Sequence, residues 1–372
     1  MSDSNTLNQN AYLLLQDGTL FQGKSFGKTG TTGGEICFNT GMTGYQEVFT
    51  DPSYAGQVLI MNTNYVGNYG TSDADIESDR VKIKGLICKN ITDRYSRMTA
   101  SGSLEDYLIS NNIVAIQDID TRALVQHVRN KGAMNCVIST ESDKVEALQE
   151  ALQAVPDMEG LELSSRICTR EAYTFGDEKA PLRISVLDLG VKNNILKCLS
   201  ERGAYLKVFP AKTPFEELAA FQPDGIFISN GPGDPASMPY AEATMNKVLD
   251  SGIPMFGICL GHQLLARASG IGTFKMHHGH RGLNHPVKNL ISGCSEITTQ
   301  NHGFGIIPED VYKMKDTVEI THVNLNDDSI EGIRLKNKPA FSVQYHPESS
   351  PGTHDSRYLF DEFIDMIQKA KG

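Results

Sequence analysis

From Arg183 to Gly270 the chain alternates short apolar runs with amphipathic ones, and this rhythm constrains the fold more than any other feature. RISVLDL, AYLKVF, GIFIS and PMFGI read as buried strands. Between and after them, VKNNILKCLSERG, TPFEELAAF, MPYAEATMNKVLDSG and LGHQLLARASG read as helices, the first stopped at Gly203. Strands that are apolar throughout, each followed by a helix, predict a doubly wound, mostly parallel α/β sheet covered on both faces. Ligands of such sheets bind beyond the carboxyl ends of the strands. That singles out two segments: SNGPGDP after the third strand and CLGHQ after the fourth.

The first half has a different texture. AYLLLQDGTLFQGKSFG, GEICFNTGMTGYQEVF, QVLIMNTNYVGNYG and VKIKGLICKN are short β-type runs parted by Gly, Asn, Asp and Thr, with a hairpin signal at Asp17-Gly18. A smaller mixed α+β domain is expected there. Val145, Leu148, Leu152 and Val155 then recur at helical spacing, with Ser142 as a candidate cap. The polar stretch TREAYTFGDEKAP is the natural boundary, which gives domains at 1–178, linker included, and 182–372.

Composition excludes several classes of function. A formal charge of −11 disfavours a nucleic-acid binder, which needs a basic surface for phosphates. The polar start MSDSNTLNQN has no apolar core of a secretory signal, and no run is long enough to span a membrane, so a cytoplasmic protein is expected. Seven cysteines lie tens of residues apart without a C-x-x-C pair, which suits reduced thiols rather than a disulfide framework.

One of them sits where chemistry is expected. Gly257-Ile258-Cys259-Leu260-Gly261 falls at a strand-to-helix junction, the arrangement of a nucleophile elbow. The helix that follows offers free N–H groups and a positive dipole end, which favour a thiolate, and the Leu260 N–H is placed for a developing oxyanion. A base is needed. The run Ala340–Tyr345 reads as a strand ending in His346-Pro347-Glu348. In extended chain Glu348 points the same way as His346 and can orient its ring. The third element is the Gly231-Pro232-Gly233 loop, whose backbone can approach a ligand closely.

Two other patterns are set aside. His277, His278, His280 and His285 are dense, but they form no i, i+4 helical pair with a partner carboxylate, so no metal site is expected. Gly27 to Gly34 (GKTGTTGG) lacks the residue order and the following helix of a phosphate loop.

FGICLGHQLLA, SNGPGDP and VQYHPESSPG together resemble the class I, triad-type glutamine amidotransferases. EICFNTGMTGYQEVFTDPSYAGQ, GHRGLNHPV, QNHGF and HPESSPGTHDS narrow the resemblance to the small-subunit family of carbamoyl-phosphate synthetase. The resemblance implies that Cys259 attacks the carboxamide of L-glutamine, that His346 is general base and acid, and that Glu348 orients it. It implies glutamine contacts at Gly231, Gly233, Leu260, Gln263, Asn301, Gly303 and Phe304. It also implies one at Gly41, where the family often carries a serine and where this chain offers only backbone. No cofactor is implied for this chain. The ammonia would pass to a large subunit that uses ATP, Mg and bicarbonate to make carbamoyl phosphate for arginine and pyrimidine synthesis. Two alternatives are a glutaminase component of another amidotransferase and a non-catalytic regulatory subunit. A cysteine hydrolase of peptides is a further one.

Overall fold

A computed structural model of the chain describes residues 9–92 and 94–372. It divides into two compact units at Met158/Glu159. That is some twenty residues ahead of the boundary expected from composition. The expected linker TREAYTFGDEKAP packs on the second unit, where Thr169 N–H donates to Asp188 Oδ2 (2.7 Å) and Tyr173–Phe175 pair with the strand Ala204–Pro210; ahead of it, Gly160 N–H donates to Asp234 Oδ2 (2.8 Å) and Ser164 Oγ to Pro232 O (3.1 Å). Its polarity reflects surface exposure with anchored backbone, not a free tether.

The first unit is a closed barrel. Its strands are β1 (Asn10–Leu15), β2 (Leu20–Gly27), β3 (Thr31–Asn39), β4 (Gln57–Met61), β5 (Gly85–Cys88), β6 (Val114–Gln117) and β7 (Asn135–Ser139), in spatial order 1-2-6-5-4-3-7. The β1–β2 hairpin turns at Asp17-Gly18, with Gly18 at φ 87°. Strands β3 to β6 pair in parallel, and the remaining pairs are antiparallel. Side chains of one parity (Ile36, Val58, Ile87, Ile116) enter one core and those of the other (Cys37, Leu59, Leu86, Ala115) another, so these strands are buried on both faces. Closure removes the sheet edges, a feature the strand runs alone did not reveal. The helix Val145–Gln153 starts after Lys144 with no side-chain cap; Ser142 Oγ accepts only from Lys144 N–H (3.2 Å) and caps no helix end. The Gly27–Gly34 stretch is the β2–β3 turn and the start of β3.

The second unit is a ten-stranded sheet. To the first seven strands it adds β8 (Tyr173–Phe175), β9 (Leu182–Asp188), β10 (Ala204–Pro210), β11 (Gly225–Ile228) and β12 (Met255–Ile258). They are followed by β13 (Thr273–Asn289), β14 (Ser295–Ile306), β15 (Val318–Asn324), β16 (Ile330–Leu335) and β17 (Ala340–Val343), in spatial order 14-13-15-16-17-12-11-9-10-8. The centre, 17-12-11-9-10, is parallel, as the strand–helix rhythm requires. Both flanks are antiparallel, so "mostly parallel" holds for this centre and not for the whole sheet. Beyond Gly270 the connections are too short for parallel crossovers. Opposite faces are covered by separate apolar clusters, one containing Leu187, Ile226 and Met255 and the other Val186, Phe227 and Phe256. Among the described residues no helix is long and apolar enough to cross a membrane.

Candidate active site

Four adjacent strand ends of the parallel centre converge: Leu189 after β9, Ser229–Asp234 after β11, Cys259 after β12 and Gln344–Glu348 after β17. Cys259 begins the helix Leu260–Ala268 with φ 55° and ψ −102°. Positive φ in a non-glycine residue costs about 1–3 kcal/mol and persists only where the surroundings over-determine it. Here they do. Cys259 N–H donates to Val343 O (2.9 Å), and Cys259 O accepts from His262 N–H (3.0 Å) and Gln263 N–H (3.1 Å). The flanking glycines follow from close backbone approach. A Cβ on Gly257 would lie 2.8 Å from the Gly261 carbonyl, and one on Gly261 would overlap Ile228 O. The turn therefore holds the thiol at the sheet edge, buried, with its Sγ 3.7 Å from Asn301 O.

His346 does not continue β17, which ends at Val343. Its N–H donates to Thr299 O (2.9 Å), forming a single bridge to β14. Ser349 N–H closes a turn onto His346 O (3.1 Å). Glu348 thus reaches the imidazole by a turn rather than by the extended alternation expected from the sequence, and the contact itself is made: Nδ1 to Glu348 Oε1 is 2.7 Å. Burial opposes a charge on His346, but the Glu348 carboxylate and the Cys259 thiol outweigh it and push the imidazole up to about 10. Burial equally opposes ionised Glu348; Lys192 and His346 overcome it and hold the carboxyl at about 2.

Lys192 is the residue that sequence reading missed. It is wholly buried, with Nζ 3.0 Å from Glu348 Oε1 and a further bond to Ser349 O. Asn194 Nδ2 adds a bond to Glu348 O (2.6 Å). The signal was available: in DLGVK, Lys192 stands just past the end of β9, at the ligand-bearing edge of the sheet, but the helix pattern covers it.

The other expected residues fall as follows. Gly231 runs close against Leu189 O, and a Cβ there would lie 3.0 Å from Leu260 Cδ2, so this loop abuts the elbow. Gly233 (φ 95°) turns away to bridge Glu162. Leu260 opens the helix, where first-turn N–H groups lack intrahelical acceptors. Gln263 is buried, its Nε2 donating to Phe304 O (3.0 Å) and Gln344 Oε1 (3.1 Å). Asn301, Gly303 and Phe304 all lie on β14, and Asn301 O faces the Cys259 thiol. Gly41 belongs to the first unit, after β3, where its N–H donates to Asn39 Oδ1 (2.6 Å).

Residues 185–366 match the family described as Glutamine amidotransferase class-I, and residues 13–138 match Carbamoyl-phosphate synthase small chain, CPSase domain. The chain belongs to the carbamoyl-phosphate synthase small-chain family. Its curated relatives include carbamoyl phosphate synthase small chains of Synechococcus sp., 47% identical over 97% of this chain and 94% of the relative, and of Escherichia coli K12, 44% identical over 97% and 98%. That of Chlorobaculum tepidum is 45% identical over 97% and 98%. The small chain is thus matched over both of its units, and its second unit carries a glutamine amidotransferase domain around Cys259.

Proposed function

We propose that this chain hydrolyses L-glutamine through a Cys259 thioester and delivers the ammonia to a carbamoyl-phosphate synthase large chain. The observation that carries the reading is the Cys259–His346–Glu348 array at the elbow, with Glu348 locked as an anion by Lys192. Glutamine's carboxamide carbon sits over Sγ. His346 already holds the proton at neutral pH, so the sulfur–carbon bond forms from the sulfur paired with the charged imidazole as it leaves its contact with Asn301 O. Backbone N–H groups of Leu260 and the Gly231 loop receive the oxyanion. The tetrahedral intermediate collapses, His346 returns the proton to the departing nitrogen, and ammonia leaves. Water, deprotonated by His346, then attacks the thioester, releasing glutamate and restoring the sulfur beside the protonated imidazole. Glu348 keeps the ring oriented and supports its positive form at each stage.

Gly231, Gly233, Leu260, Asn301, Gly303 and Phe304 are assigned to glutamine. Gln263 is assigned a positioning part, because its amide nitrogen is spent on Phe304 O and Gln344. Carbamoyl phosphate synthesis from bicarbonate, with its ATP and Mg, belongs to the large chain, and the product feeds arginine and pyrimidine synthesis in the cytoplasm.

The test is glutamate release from glutamine by the purified chain, alone and with a large chain, for wild type and Cys259→Ser. The substitution is expected to lower glutamine-dependent turnover at least about 10³-fold while carbamoyl phosphate synthesis from added ammonium continues in the complex. Loss of both activities would show that Cys259 is structural.

A further inference from the structure

The antiparallel flank of the sheet gathers buried polar groups that the hydrolysis does not use. We propose that His280, His302 and Glu331 form a binding site for a divalent transition metal, zinc foremost. The three come from different strands, β13, β14 and β16, and all are buried. One potential ligand atom from each lies within 4.8 Å of the other two. Two imidazole nitrogens and a carboxylate oxygen form the ligand set of a three-residue zinc site with a fourth position for water. Zinc bonds of about 2.0–2.2 Å require these atoms to close by roughly an ångström, within the reach of side-chain rotation.

Hydrogen bonding at the outer side of each ligand is what separates this cluster from a chance meeting of histidines. His302 Nδ1 faces Phe304 O at 2.8 Å; a carbonyl can only accept, so the proton is on Nδ1 and the Nε2 lone pair is turned inward. That Nε2 is buried without a hydrogen-bond partner among the described residues. His280 Nε2 is held by Asp327 Oδ2 at 2.9 Å, leaving Nδ1 directed at Glu331 Oε1, 3.4 Å away. Glu331 is fixed by Gln300 Nε2 (3.1 Å) and Asn324 Nδ2 (3.0 Å). Ligands whose far sides are tied to a carboxylate, a carbonyl and amides make up the outer shell that orients metal sites. His285 lies beside His280 with its ring tilted, 5.3 Å between centroids, and stays outside the three-ligand group. The histidine run in the sequence showed no site because two of its essential members, His302 and Glu331, come from later strands.

The experiment is a titration of the metal-stripped full-length chain with Co(II), followed by visible absorption and displacement with Zn(II). It uses wild type, Cys259→Ser, His302→Asn and Glu331→Gln. Expected are one tightly bound equivalent with the bands of a four-coordinate N/O site, no thiolate charge-transfer band, and a raised thermal midpoint. Binding should persist in Cys259→Ser and weaken at least tenfold in the other two variants. A folded wild type that binds no cobalt or zinc overturns the proposal, whatever the variants do. So does binding that Cys259→Ser abolishes and His302→Asn leaves intact, since the metal would then sit on the hydrolytic thiol.

Discussion

At the scale of single residues, the buried charge chain Lys192–Glu348–His346 is where stability and activity meet. Removing one member of a buried pair leaves an uncompensated charge and costs about 3–5 kcal/mol. Lys192→Met should therefore lower the unfolding free energy by that amount and reduce turnover of glutamine. Adding Glu348→Gln should restore most of the stability without restoring activity; chemical denaturation and glutamate release on both variants check this. If the double variant is as unstable as the single one, Lys192 acts through packing and not through its charge. The His346 imidazole carries a pH signature of opposite sense to an ordinary carboxylate. Its folded value of about 10 lies above an unfolded value of about 6.5. The stabilisation is then complete below about pH 6.5 and is lost as pH rises toward 10. Wild-type thermal midpoints should fall over that window relative to those of His346→Asn, and parallel profiles would contradict the assigned pairing.

The elbow is an element-scale device: a strand, a strained residue and a helix that fit only if two positions lack a Cβ. Gly261→Ala would press a methyl into Ile228 O, and overpacking of this kind costs about 1–3 kcal/mol. It should also shift Cys259 from its positive φ, so glutamate release should fall by more than the lost folded fraction. An equal fall would mean that the helix adjusts without moving the thiol. This element was legible in the sequence because its demands are local. Gly-x-Cys-x-Gly, the apolar strand before it and the helical run after it all lie within some fifteen residues. The Glu348 contact was legible for a partly mistaken reason, since a turn and not extended chain makes it. Lys192 was not legible, because nothing in the spacing of VKNNIL says that one lysine turns inward to a carboxylate 156 positions later. The barrel closure of β1 on β7 and the bridge from Thr299 to His346 were hidden for the same reason. Long-range pairing is set by tertiary packing and leaves little trace in local periodicity.

At the scale of the whole molecule, the position of the division between units has a measurable consequence. Residues 159–181 precede the second domain expected from composition, yet they pack on the second unit, the first of them against the Gly231–Asp234 loop. Leu161 O accepts from Asp234 N–H (3.0 Å), Gly160 N–H and Ser164 Oγ donate to the loop, and Glu162 Oε1 accepts from Tyr240 (2.8 Å). Further on, Thr169 N–H donates to Asp188 Oδ2 (2.7 Å) at the end of β9, and β8 covers the outer edge of β10. Each hydrogen bond contributes about 0.5–1.5 kcal/mol net, and a covered sheet edge is also protected from pairing with another chain. A fragment spanning 159–372 should accordingly melt roughly 10 °C above one spanning 182–372, taking about 2–4 °C per kcal/mol for a domain of this size. The shorter fragment should also associate through β10, which light scattering would detect. Equal midpoints and equal solubility would mean that the segment only tethers the two units. The second unit would then begin where composition, and not packing, places it.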